Sequence, residues 1–78
     1  MKQYDFTFKG KLSVDGAEET LLDKVCEELD SNVKDTKTSE LSNEFYINVV
    51  VELENGIELD CEISWEETEW KATVWQFD

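Results

Sequence analysis

Apolar and polar residues alternate along much of the chain, and the alternation predicts its elements. Tyr4, Phe6, Phe8, Leu12 and Val14 are interleaved with Asp5, Thr7, Lys9, Lys11 and Ser13. A period of two marks a strand with one buried face, so a strand is expected over Tyr4 to Val14. Gly10 falls on the apolar side and predicts a bulge or bend. From Gly16 to Ser31 the period lengthens: Ala17, Leu21, Leu22, Val25, Cys26 and Leu29 recur at steps of three and four and form one stripe of a helix. Asp15 is the expected N-cap, with Glu18 three residues on. Glu18 and Glu19 suit the positive end of the helix dipole, Asn32 the left-handed stop, and Lys34 the negative end. Residues 34–43 are polar with little period and read as a loop.

The clearest pattern follows. Phe45, Ile47, Val49, Val51 and Leu53 alternate with polar neighbours, as do Ile57, Leu59, Cys61, Ile63 and Trp65 after Asn55-Gly56. Asn-Gly between alternating runs predicts a hairpin. A two-residue loop would set Glu54 against Ile57 and mix acids with aliphatics on one face. A three-residue loop, Glu54-Asn55-Gly56, sets Leu53 opposite Ile57 and Val51 opposite Leu59, with Gly56 left-handed beside a bulge. A last strand is expected from Trp70 to Phe77 after a turn at Glu66-Glu67-Thr68-Glu69. A four-residue loop pairs Trp65 with Trp70 and sends Ala72 and Val74 inward; a five-residue loop sends Thr73, Trp75 and Phe77 inward instead. The order β-α-β-β-β predicts a single α+β domain over 1–78, one helix on a four-stranded, mostly antiparallel sheet. The first strand, reached through a helix crossover, is expected to run parallel to strand two or strand four.

Composition narrows what such a domain does. The 78 residues carry 20 acids and 7 cations, a net charge of −13, with no His, no Pro and, since every cation is Lys, no Arg. Without His, Ser-His-Asp and Cys-His triads and most transition-metal sites are excluded. Direct nucleic-acid binding is disfavoured, because phosphates would be repelled. Nine aromatic residues argue against a disordered acidic chain. No stretch has the length of a membrane span, and Met1 to Asp5 has no signal-peptide core, so a soluble cytoplasmic protein is expected.

Candidate chemistry adds little catalysis. Asp60 with Glu62, or Glu62 with Glu66, has the residue types of a glycosidase pair, but an open wet sheet face does not raise a carboxyl pKa, and one small core leaves little room for a cleft. The EF-hand spacing is absent. No cofactor or metal is expected. Cys26 and Cys61 both fall on apolar faces and read as buried, inert thiols.

The charge is one-sided. Residues 1–39 sum to −3 and residues 40–78 to −10. Glu52, Glu58, Asp60 and Glu62 share the hairpin face away from the apolar rows, and Glu66, Glu67 and Glu69 crowd the next turn. Alternate strand residues lie about 6.6–6.8 Å apart, so these carboxylates form a regular grid. Tyr46 points to the same face, and Trp70 or Trp75 is expected beside it as an apolar anchor. Small size, extreme acidity and absence of a catalytic constellation resemble phage-encoded anti-CRISPR and anti-restriction DNA mimics, and also immunity proteins and antitoxins that plug basic nucleases. The resemblance is one of composition. It implies a non-enzymatic inhibitor that occupies a basic, nucleic-acid-binding surface of a partner protein. The alternatives are an immunity protein or antitoxin for a basic toxin, and a homo-oligomeric structural or interaction module, for instance a homodimer, whose charge serves solubility.

Overall fold

The stripe of Ala17, Leu21 and Val25 does what its spacing predicts: all three side chains are buried, on a helix α1 that spans Val14–Leu29. The helix starts two residues before the expected point, because Ser13 rather than Asp15 caps it. Ser13 Oγ accepts a hydrogen bond from the Gly16 amide at 3.1 Å, and Ser13 O accepts from the Ala17 amide at 2.9 Å. Val14 therefore belongs to the helix and not to the first strand. The helix stops at Asp30, not at Asn32. Asp30 adopts the left-handed conformation (φ 49°), which its short polar side chain tolerates. No basic residue occupies the last turn; Lys34 lies beyond it, in a strand.

The structure, a computed structural model, describes residues 2–9, 13–40 and 42–77. The bulge expected at Gly10, and Leu12 beside it, lie outside the described residues. Beside the helix there are five strands: β1 (Lys2–Lys9), β2 (Val33–Thr38), β3 (Tyr46–Leu53), β4 (Glu58–Glu66) and β5 (Glu69–Gln76). They form one sheet in the order β1-β5-β4-β3-β2, with every neighbouring pair antiparallel. The domain is α+β with the helix on one sheet face, and the sheet has five strands, not four.

The additional strand is β2, which lies in the segment expected to be a loop. It pairs with β3 from Val33↔Leu53 to Thr38↔Val49, with a register shift between Val33 and Asp35. Thr36 and Thr38 point to the helix side of the sheet yet are exposed. The helix does not cover this edge, so selection for apolar residues at alternate positions is absent and the strand has no hydrophobic period to read. The fifth strand also sets the direction of β1 against its neighbour, opposite to the parallel pairing expected. Each added antiparallel strand reverses the chain, so four strands would set β1 parallel to the last strand and five set it antiparallel. The register of β1 with β5 is antiparallel, from Lys2↔Gln76 to Lys9↔Glu69.

The hairpin has the three-residue register. Val51 pairs with Leu59 and Glu52 with Glu58. The Leu53 amide donates to Ile57 O at 2.9 Å, the Gly56 amide donates to Leu53 O at 3.0 Å, and Gly56 has φ 89°. In the next hairpin Trp65 pairs with Trp70 and Glu66 with Glu69, which leaves Glu67 and Thr68 at the tip. Ala72 and Val74 are buried, as the first of the two expected registers requires. The inner rows run across the sheet as Ile47–Ile63–Ala72–Phe6 and Val49–Cys61–Val74–Tyr4. With Val51, Leu53, Leu59, Phe8 and Trp70 they make a single core under the helix.

The helix start carries one mild cost. Glu18 is partly buried, and burial, followed by the neighbouring Asp15 carboxylate, raises its pKa above the ordinary 4.5. A carboxyl whose pKa is raised on folding favours the native state below its unfolded pKa, and that contribution disappears as pH rises through the folded pKa. Glu18→Gln is therefore expected to raise the thermal midpoint at neutral pH, with the gain vanishing below pH 4.5. Melting curves of both proteins at the two pH values test this.

Candidate functional site

With the helix on one face, the opposite sheet face has no second layer among the described residues. The alternation that buries Val49, Cys61 and Val74 sends their neighbours outward. One row across this face is Lys37–Val50–Asp60–Trp75–Gln3; the next is Asn48–Glu62–Thr73–Asp5. Tyr46–Ser64–Lys71–Thr7 lies toward one end, and Asp35–Glu52–Glu58 toward the other. Glu66 and Glu69 face each other at the β4–β5 hairpin, with Glu67 at its tip in a left-handed conformation (φ 59°).

Of the residues expected here, Glu52, Glu58, Asp60, Glu62, Tyr46 and Trp75 share the face, and Glu66, Glu67 and Glu69 continue it to the turn. Trp70 does not belong with them. It is 2% exposed and packs in the core, its ring 5.2 Å from Trp65 in an edge-to-face arrangement. The register decides this, because Trp70 pairs with inward-facing Trp65 while Trp75, an odd number of residues later, pairs with outward-facing Asp60. Of the two tryptophans, only Trp75 lies on this face, half-buried, with Val50 39% exposed one strand beyond Asp60.

The carboxylates divide into two groups. At the periphery, the two pairs that face each other as like charges each have a lysine near. Lys34 Nζ is 3.8 Å from Glu52, which opposes Glu58; Lys71 Nζ is 3.5 Å from Glu66, which opposes Glu69. Both ion pairs are largely exposed and contribute little, but they relieve repulsion across the ladder. At the centre the partners are uncharged. Asn48 Nδ2 donates to Asp60 Oδ1 at 2.9 Å and to Cys61 O at 3.2 Å. Tyr46 Oη donates to Glu62 Oε1 at 3.1 Å. Burial, then this hydrogen bond, then the charges of Glu62 and Asp60 raise the Tyr46 pKa, so the phenol stays a neutral donor at physiological pH. These two bonds orient the central carboxylates without neutralising them.

Asn48 is the residue that pattern reading missed. In the sequence it is one more polar position between Ile47 and Val49. Its role depends on which way its side chain turns across the β3–β4 ladder, toward Asp60 and Cys61 O, a choice that the register permits and does not dictate. Beside it, Lys37, Thr38, Ser39, Glu40 and Val50 line a shallow open depression at the β2–β3 end.

Among the described residues no three Cys, Asp or Glu side chains converge as metal ligands. Cys61 is fully buried, and burial first, then Asp60 and Glu18, pushes its thiol up to about 12. Such a thiol is inert. Cys26 is only partly buried, contrary to the expectation that both thiols are inside. A thiol reagent is therefore expected to label Cys26 in the native protein and Cys61 only in denaturant, which mass spectrometry of the modified peptides checks. Comparison with protein-family models, with curated proteins and with solved structures found no match.

Proposed function

We propose that this is a non-enzymatic binding protein whose bare sheet face occupies a basic, nucleic-acid-binding surface of a partner protein, in the manner of a DNA mimic. The observation that carries the reading is the central pair Asp60 and Glu62, each held by a neutral donor. A face built only for solubility needs no oriented charge. Carboxylates fixed on a rigid ladder and left un-neutralised resemble a phosphate row: they lose little freedom on meeting cations and attract them at long range. The partner is then a basic protein, the site is not catalytic, and the compartment is that of nucleic-acid machinery, the cytoplasm.

The test is capture from lysate of the source cells by the immobilised chain, with duplex DNA as competitor. Proteins held at low salt are expected to elute as ionic strength rises and the Debye length shrinks from about 10 Å at 0.1 M to about 3 Å at 1 M. Added duplex DNA is expected to displace them. A Glu58→Lys, Asp60→Lys, Glu62→Lys triple variant is expected to fold and to lose capture. Unchanged capture by this variant, or capture that DNA does not compete, would overturn the proposal.

A further inference from the structure

Trp75 stands directly opposite Asp60 on β4, with Gln3 of β1 on its other side. Glu58 and Glu62 lie diagonally on β4 and Asp5 diagonally on β1. Direct cross-strand partners hold their Cβ atoms about 4.5–5.5 Å apart and diagonal neighbours about 7–8 Å, so acids occupy the positions around the indole, with Glu62 bonded to Tyr46 and Asp5 to Thr73. The fold makes no use of this ring in its core: Trp75 is only half-buried, on the face that no layer of the described residues covers.

An aromatic face carries negative electrostatic potential, and carboxylates around it add to the attraction for a cation. The two biological cations use such a place differently. A guanidinium is planar, stacks on the ring and offers parallel N–H donors to one carboxylate. An ammonium is a compact point charge and gains less from the ring plane. Asp60 suits the former, because the Asn48 bond fixes its carboxylate while Oδ2 and a lone pair on Oδ1 remain as acceptors.

We infer that the Trp75–Asp60 pair receives an arginine side chain of the partner, so that the face selects arginine-bearing over lysine-bearing surfaces. The inference rests on the proposed role of the face as a site for a basic partner. It also names the kind of occupant. This chain has no arginine, so a second copy cannot supply the guanidinium.

The experiment titrates deca-arginine and deca-lysine into the intact protein by calorimetry. Wild type is expected to bind deca-arginine roughly tenfold tighter than deca-lysine. Trp75→Leu keeps every charge and is expected to bring the two affinities close together, while Trp75→Phe keeps most of the difference. The Trp75 indole N–H resonance is expected to shift on adding deca-arginine. An affinity ratio that survives in Trp75→Leu, or an indole resonance that does not move, overturns the inference and leaves the acidic face as a nonselective cation surface. The Glu58/Asp60/Glu62 triple lysine variant separates the two levels: if it binds both peptides as well as wild type does, the reading of the face itself fails.

Discussion

Trp70→Ala is expected to remove most of the stability of the domain. A chain of this length is stable by about 4–12 kcal/mol at the usual 0.05–0.15 kcal/mol per residue. Truncating a buried tryptophan to alanine costs about 3–5 kcal/mol, in lost transfer energy and in the cavity left behind. At Trp70 the loss falls at the upper end. The side chain is 2% exposed, it closes the end of the core between Phe8 and Trp65, and its edge-to-face contact with Trp65 adds about 0.5–1.5 kcal/mol. Trp75→Ala on the same strand is the control. Its side chain is half-buried on the open sheet face, so its removal leaves no enclosed cavity and is expected to cost clearly less than the loss of Trp70. Urea unfolding followed by circular dichroism would compare the two. Greater destabilisation by Trp75→Ala than by Trp70→Ala would mean that β5 sits in the other register.

Leu21→Ala is expected to loosen the two layers from each other, at a cost of about 2–5 kcal/mol. The inner surface of the sheet has one helix above it, and α1 enters the core through Ala17, Leu21 and Val25. Leu21 is the largest of the three and is wholly buried. An isolated 16-residue helix is marginal in water, so its persistence depends on this contact. The expected signature is a fall in helical ellipticity and in the unfolding midpoint together, with amide exchange in α1 accelerating more than in β4. Accelerated exchange in β4 with α1 protected would contradict this division of the core.

The hairpin of β3 and β4 was fully legible in the sequence, because two apolar rows can share a face in only one register once Asn55-Gly56 marks the turn. The last hairpin was half legible. Both registers put aromatic residues inside, and the choice depended on whether Glu67 accepts a left-handed conformation at the tip, which no hydrophobic pattern reports. The edge strand β2 was not legible. A strand that the helix does not cover has no reason to alternate, and Thr36 and Thr38 look the same in a loop. The direction of β1 followed from that omission.

The site was legible in charge and not in detail. Counting acids along β4 located the face, because alternation fixes where they point. The difference between Asp60 and Glu62, held by neutral donors, and Glu52 and Glu66, next to lysines, depends on which neighbour each side chain turns to on the adjoining strand, which alternation does not report. The distinction between Trp70 and Trp75 is one of parity along β5 and needs only the register.

The pairing of β1 with β5 sets the order in which the fold is completed. Lys2 lies across from Gln76, so the sheet's first strand gains its neighbour only when almost the whole described segment is present. The β2–β3 and β3–β4 pairings are local in the chain, whereas Tyr4, Phe6 and Phe8 have no strand to join before β5 is made. Closing that long loop costs entropy before any contact repays it. The edge of β1 is therefore the last in the sheet to find its partner, and a chain stalled before β5 emerges leaves Tyr4, Phe6 and Phe8 without their cross-strand neighbours Val74, Ala72 and Trp70.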